Sequence, residues 1–234
     1  MRNFVQKSSK VFLFLFSIVF IFSSFQQIVS AEASITSKSE LEEMSQKYGI
    51  EFVSLEGSEL EKLKQAGELK TFKSFDEYAE YIKDMTNEVQ KNPSSPETFS
   101  VQTNDAAQGI STMAQNSHII NWYAPMSGGL SGVLTWKNVS IVYNYTTSGG
   151  FSTFTGISSI KSYLTGVQAA VSWEQLSAVK SYSKQCKPQD TANFTIKGYY
   201  LVGAEIYGVP IGAKINDTWN TSYTLPTTPG LGCF

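Results

Sequence analysis

The stretch "NFTIKGYYLVGAEIYGVPIGAKI", residues 193–215, alternates apolar and polar side chains over most of its length. A period of two residues is typical of a β-strand with one buried face. The residues predicted to face inward are Phe194, Ile196, Tyr200 and Val202. The residues predicted to face outward are Thr195, Lys197 and Tyr199. Gly203 and Gly208 interrupt the rhythm, and we expect a bulge or a turn at each of them.

The same period extends over most of the chain beyond His118. In residues 139–145 every second residue is valine, isoleucine or tyrosine, and turns containing glycine or proline separate such runs. The segment 166–183 is ambiguous, because its spacing fits a strand pair nearly as well as one short helix. We therefore predict that residues 118–234 form an antiparallel β-sandwich or barrel of roughly seven to nine strands, so that the protein is mainly β.

Residues 32–91 differ from this β-domain in charge and in pattern. Between Glu32 and Ser117 there are sixteen acids and eight lysines, a net charge of −8, whereas the remainder has four acids and seven lysines, a net charge of +3. Apolar residues recur at helical spacing, and three serines stand three residues before a glutamate, as in a capping box. These serines are Ser39, Ser58 and Ser74. We predict a small α+β unit with the order helix, strand, helix, strand, helix.

Residues 92–117 contain two prolines and no periodic pattern, so we predict a flexible linker there. The acidic unit before it is interpreted as an independent module that its charge keeps soluble. The opposite charges of the two halves support a second hypothesis, in which the acidic unit docks on the β-domain as a removable cover.

The first 31 residues have the features of a secretory signal peptide. Three basic residues precede an uncharged run over residues 11–25, which is shorter than the roughly twenty residues that span a bilayer. Val29 and Ala31 suit a signal-peptidase site. We therefore predict a secreted, extracellular protein that meets the membrane only through its signal peptide during export, with an uncleaved anchor as the alternative.

The chain has two cysteines, Cys186 and Cys233. An even number of cysteines in an exported protein favours a disulfide, and closing this loop would stabilise the fold by about 4 kcal/mol in the chain-entropy model. Two separate thiols are the alternative.

Several kinds of chemistry have little support in the sequence. His118 is the single histidine and is interpreted as a solvent-exposed residue at the domain boundary, so a catalytic site built on histidine is not expected. No metal-binding motif occurs, and the lysines of the β-domain are too dilute for nucleic acid; we predict no cofactor. Glu174 and Glu205 are the one carboxylate pair that we consider for glycan hydrolysis.

Aromatic residues are plentiful in the β-domain, together with serine, threonine and asparagine. Most of these rings are expected to fill the core, but some could form a polar-aromatic binding surface. The candidate residues for that surface are Trp173, Lys197, Tyr199, Tyr207 and Trp219. Five Asn-X-Ser/Thr triplets also occur, a number that this composition produces by chance.

The segments "KYGIEFVSL" and "FKSFDEYAEYIKDM" resemble the leader segment of small secreted proteins of Gram-positive, Bacillus-like bacteria. The resemblance covers roughly residues 39–91 and implies no activity and no functional residue. We expect a non-enzymatic binding protein whose partner is a cell-wall or extracellular polysaccharide or a protein. The alternatives are an antimicrobial or toxin-like protein that its acidic leader keeps harmless, and a glycan hydrolase that uses Glu174 and Glu205.

Overall fold

The computed structural model describes residues 38–91, 99–101, 114–123 and 135–227. The N-terminal part contains α1 (Lys38–Tyr48), β1 (Glu51–Ser54), α2 (Gly57–Ala66), β2 (Lys70–Phe72) and α3 (Phe75–Lys91). The strands that follow are β3 (Phe99–Val101), β4 (Ala114–Tyr123), β5 (Thr135–Ser148), β6 (Phe151–Gly166), β7 (Val171–Ser183), β8 (Thr191–Ile206) and β9 (Val209–Thr224). The predicted signal peptide lies outside the described residues and stays a prediction.

The strands form two sheets, and the fold is mainly β as predicted, with antiparallel sheets that curl into a half-barrel behind a small helical N-terminal unit. One sheet has the order β3-β4-β5-β6. The other has the order β1-β9-β8-β2, and β7 also pairs with β8. The ambiguous segment 166–183 is the strand β7 with the turn before it, not a helix.

The predicted alternation in β8 is confirmed by burial. Phe194, Ile196, Tyr200 and Val202 are all buried, whereas Lys197 is exposed and Thr195 and Tyr199 are partly exposed. In β5 the inward residues Val139, Ile141 and Tyr143 are buried as well. The period of two residues predicts which side chains are buried, because successive side chains of a strand point to opposite sides of the sheet.

The acidic unit is part of the same fold as the β-domain. Residues 51–54 of β1 pair with residues 211–214 of β9, and residues 70–72 of β2 pair in parallel with residues 204–206 of β8. The element order helix, strand, helix, strand, helix is the predicted one. The interpretation of an independent module is therefore wrong, because both of its strands extend the β7-β8-β9 sheet.

Helices of the acidic unit also pack on both sides of that sheet. The Tyr78 hydroxyl of α3 donates a 2.6 Å hydrogen bond to the Val202 carbonyl, and α3 contributes Tyr78, Ile82 and Met85 to the main core. On the other side, Leu63 of α2 packs with Leu55 and Leu201 in a second, smaller core. None of the helices in the described part of the chain is long and apolar enough to cross a membrane.

Of the predicted capping boxes, the one at Ser74 is confirmed and the one at Ser58 is wrong. The capping box at Ser74 is present, since Ser74 Oγ accepts the backbone N–H of Glu77 and the Glu77 carboxylate accepts that of Lys73. By contrast, α2 begins at Gly57, so Ser58 lies inside the helix and caps nothing.

The predicted linker over residues 92–117 contains β3 and the first residues of β4, and its other residues lie outside the described part of the chain.

Candidate functional site

The outward face of β7, β8 and β9 presents a regular array of polar side chains. The register of the three strands places these side chains in four rows of three. We call this set of twelve residues the outer grid, and its rows are Glu174–Tyr199–Asn216, Ser177–Lys197–Thr218, Val179–Thr195–Asn220 and Ser181–Asn193–Ser222. Adjacent strands lie about 4.8 Å apart and alternate residues about 6.7 Å apart, so the outer grid measures roughly 10 by 20 Å.

The outer grid is open to solvent. Seven of its residues are exposed and the other five are partly exposed. Eight of the twelve are serine, threonine or asparagine, which can both donate and accept hydrogen bonds. Two of these side chains already pair across the strands, since Thr195 Oγ1 donates to Asn220 Oδ1 at 3.0 Å. Asn193 also donates to Ser183 Oγ at 2.9 Å. The other five side chains are available to a ligand that is itself rich in hydroxyls.

The first row of the outer grid lies beside α2. Lys62 of α2 forms an ion pair with Glu174 at 3.2 Å, and Tyr199 packs against the small core of Leu55, Leu63 and Leu201. The Lys214 ammonium lies 5.1 Å from the centre of the Tyr199 ring and pairs with Glu51 at 2.6 Å. The N-terminal unit thus fixes the position of the one aromatic ring in the outer grid.

The five candidate binding residues lie in three different places. Lys197 and Tyr199 lie together on the outer grid, whereas Tyr207 is exposed at the turn between β8 and β9. Tyr207 lies eight residues from Tyr199, or about 26 Å along β8, so it belongs to a different surface. Trp173 and Trp219 are buried, so their assignment to a binding surface is wrong.

Trp173 and Trp219 belong to the interior of the half-barrel. Their rings stack with centroids 4.1 Å apart, and the Trp173 indole N–H donates to Ser162 Oγ at 2.7 Å. A Cβ on Gly198 would lie 2.6 Å from the Trp173 ring, so glycine at this position makes room for the indole. The alternation of side chains along β7 and β9 would have predicted that both tryptophans are buried, because each shares a face with buried aliphatic residues.

An ion pair that the sequence did not predict lies next to these tryptophans. Lys137 of β5 is almost fully buried, and its ammonium contacts Asp217 of β9 at 3.1 Å. Asp217 also accepts the Tyr200 hydroxyl, which in turn accepts the Trp219 indole N–H, each at 3.0 Å. Burial lowers the pKa of Lys137, while the Asp217 charge opposes that shift, and burial raises the pKa of Tyr200. The ion pair connects the two sheets, and the two hydrogen bonds extend it to Tyr200 and Trp219, so we assign these residues a role in stability.

The carboxylates proposed for glycan hydrolysis do not lie close together. Glu174 is opposite Tyr199, and Glu205 lies six residues further along β8. At about 3.3 Å per residue the two glutamates are roughly 20 Å apart, whereas glycosidases need about 5 to 10 Å. The structure therefore does not favour this pair as a catalytic site.

His118 is buried and not a solvent-exposed boundary residue as predicted. Its ring stacks on that of Tyr223 at 3.9 Å, with an angle of 16° between the planes. The strand β4 begins at Ala114, four residues before His118, so the predicted domain boundary is also displaced. Burial lowers the pKa of His118 below its ordinary value.

The buried His118 predicts a loss of stability in mild acid. Its folded-state pKa lies below the unfolded value of about 6.5, so the unfolded state binds the proton first and stability falls as the pH drops below 6.5. Urea unfolding at pH 7 and pH 5.5 measures this decrease. The variant His118→Phe keeps an aromatic ring against Tyr223 and is expected to show a smaller decrease; an equal decrease in both proteins would show that other groups are responsible.

Asp190 organises the loop between β7 and β8 that contains Cys186. Burial raises the pKa of the Asp190 carboxyl, but hydrogen bonds from the backbone N–H groups of Gln185, Lys187 and Cys186 outweigh it and lower the pKa overall. The Asp190 carbonyl also accepts the N–H of Leu225, which brings this loop to the C-terminal part of the chain. Cys233 lies outside the described residues, so the disulfide stays a prediction.

A groove of about 680 Å³ runs between α1 and β1, with Leu41 and Phe52 among its lining residues. Of its glutamates, Glu51 is paired with Lys214 and Glu56 accepts a hydrogen bond from Ser54. In the described ranges no three His, Cys, Asp or Glu side chains come together in a group that could hold a metal ion. On the outer grid, by contrast, eight hydroxyl and amide side chains share one open sheet face.

Comparison with known proteins gives no relative for this chain, because no family model, no curated protein and no solved structure matches it.

Proposed function

We propose that this protein is a secreted, non-enzymatic binding protein whose outer grid binds a polysaccharide outside the cell. The observation that carries the proposal is the register, which brings eight hydroxyl and amide side chains to one open sheet face. An array of donors and acceptors on an open sheet face complements the hydroxyls of a sugar chain. Tyr199, held at the edge of the array, offers a ring on which a sugar can stack.

A polysaccharide fits the outer grid better than a protein does. Protein interfaces are enriched in tyrosine, tryptophan, methionine and arginine, and they are depleted in serine. The outer grid has one tyrosine and one valine among twelve residues, and the rest are polar or charged. Its length of roughly 20 Å accommodates several sugar units of an extended chain.

The double variant Asn216→Ala/Asn220→Ala tests this proposal. Each substitution removes hydrogen bonds worth about 1 kcal/mol, so the pair is expected to weaken polysaccharide binding by about 30-fold. The assay is a pull-down of the purified protein with insoluble cell-wall and polysaccharide fractions, followed by titration with the fraction that binds. Asn87→Ala, at an exposed position on α3, is the matched control.

Two outcomes would contradict the proposal. The first is that the wild-type protein binds none of the fractions, and the second is that the double variant binds as tightly as the control. Both asparagines are exposed, so neither substitution is expected to unfold the protein. Thermal unfolding of both variants checks that a loss of binding does not come from a loss of fold.

The toxin-like alternative is favoured by one observation, the position of the acidic unit. Its strands β1 and β2 cover edges of β9 and β8, so removing the unit after export would open both edges. The mass of the protein recovered from culture medium tests this alternative. A mature form that begins within residues 92–117 would support it, whereas one that begins near Glu32 would contradict it.

A further inference from the structure

We infer that the polymer bound by the outer grid carries acidic groups, carboxylate or phosphate, and that Lys197 binds one of them. This inference rests on the proposed function and adds the charge class of the ligand. It depends on where the charges of the β7-β8-β9 sheet lie and on which of them are already paired.

Lys197 occupies the middle strand of the second row, near the centre of the outer grid. It is flanked across the strands by Ser177 and Thr218 and along β8 by Thr195 and Tyr199. Its side chain is exposed, and its ammonium forms no ion pair with any residue in the described part of the chain. The four neighbours are uncharged hydrogen-bonding groups, so an acidic group on a hydroxylated chain would meet the cation and the hydroxyls together.

The two acids closest to Lys197 do not neutralise it. Glu174 in the first row already pairs with Lys62 at 3.2 Å. Asp217, between Asn216 and Thr218 on β9, turns its carboxylate inward to Lys137 and Tyr200. The second, third and fourth rows therefore contain a single charge, and it is positive.

Two other lysines near the outer grid are committed elsewhere. Lys214 is bound to Glu51, and Lys180 of β7 donates to the Ile157 carbonyl. Within the outer grid itself a bound polymer therefore meets one available cation over roughly 20 Å of sheet. A polymer with widely spaced acidic groups satisfies the site as well as a densely charged one. An exposed cation contributes modestly, and we expect acidic polymers to bind about three- to ten-fold more tightly than matched neutral ones.

The experiment compares one soluble neutral polysaccharide that binds the wild-type protein with two derivatives of the same polymer, one carboxylated and one phosphorylated. Affinities are measured by titration calorimetry in about 20 mM and 500 mM salt, because screening at high salt weakens exposed charge pairs. Lys197→Gln removes the charge while keeping a polar side chain. Lys161→Gln, at an exposed lysine on β6, is the matched control.

We expect the wild-type protein and Lys161→Gln to prefer at least one acidic derivative at low salt, and Lys197→Gln to lose that preference. The derivative that is preferred identifies carboxylate or phosphate as the bound group. Equal affinity for neutral and acidic polymers, or a preference that Lys197→Gln retains, overturns the inference. In both of those cases the proposed function still stands if Asn216→Ala/Asn220→Ala loses the neutral polymer, so the two failures are distinguishable.

Discussion

A chain that begins at Phe99, and so lacks the whole acidic unit, is expected to have no cooperative unfolding transition. The acidic unit supplies nine large buried side chains that the β-strands cannot replace, namely Leu41, Phe52, Leu55, Leu63, Phe72, Tyr78, Ile82, Met85 and Val89. Each contributes about 1.5 to 3 kcal/mol through burial, so together they match or exceed the roughly 5 to 15 kcal/mol by which a typical domain is stable. The shortened chain would also expose the edges of β8 and β9.

Thermal unfolding followed by circular dichroism measures this effect, and dye binding reports the exposed apolar face. The matched control is the complete protein cut by a protease within residues 102–113 after folding, since both parts are then present. The two parts of the cut protein are expected to co-elute even in high salt, because paired strands and a shared core join them. A sharp melting transition in the shortened chain would contradict the expectation and strengthen the toxin-like alternative.

The sequence predicted the strands of the β-domain and their buried faces because that information is local. In β8 and β5 the alternation of side chains alone determines which residues point inward, whatever the neighbouring strand is. The same reasoning, applied to Trp219, would have placed it inside, since Ile215, Asp217 and Trp219 share one face. It was the abundance of aromatic residues, and not their phase, that suggested a surface.

The attachment of the acidic unit could not be read from the sequence because it depends on distant contacts. Gly203 lies opposite Gly212 in the β8-β9 pair, without a break in register. A Cβ on Gly203 would lie 2.7 Å from Leu69, and one on Gly212 would lie 2.9 Å from Leu55. Gly203 is thus not the bulge or turn that was predicted, and both glycines let leucines of the acidic unit approach the sheet. Gly208, by contrast, does lie in a turn.

The outer grid had a signal in the sequence that was attributed to chance. Asn193, Asn216 and Asn220 each begin an Asn-X-Ser/Thr triplet, and the first and third residues of such a triplet share one face of a strand. Only the pairing of β8 with β9 shows that the triplets beginning at Asn193 and Asn220 lie side by side, and that the one beginning at Asn216 continues the same face along β9. Composition made the triplets look accidental, whereas the register makes them one surface.

The variant Asp217→Ala is expected to destabilise the protein by about 3 to 5 kcal/mol, because it leaves the Lys137 ammonium buried without a partner. It also removes the acceptor of the Tyr200 hydroxyl, which is buried beside Trp219. The double variant Lys137→Met/Asp217→Leu replaces the ion pair by apolar groups of similar volume and is expected to recover most of that loss. Urea unfolding at pH 7, followed by tryptophan fluorescence, measures all three proteins.

The exposed pair of Lys214 and Glu51 is the matched control for this comparison. Glu51→Ala is expected to cost less than about 1 kcal/mol, since an ion pair in contact with water contributes little. The effect of Asp217→Ala should also diminish as the pH rises toward 10. Without Asp217 the folded-state pKa of Lys137 falls further below the unfolded value of about 10.4, so the unfolded state holds more protons and stability increases with pH in that window. If Asp217→Ala costs no more than Glu51→Ala, or if its cost does not change with pH, Lys137 is not held as a buried cation by Asp217. The joining of the two sheets then has to be attributed to other contacts between them, such as those of Trp219 with Trp122 and of Trp173 with Ser162.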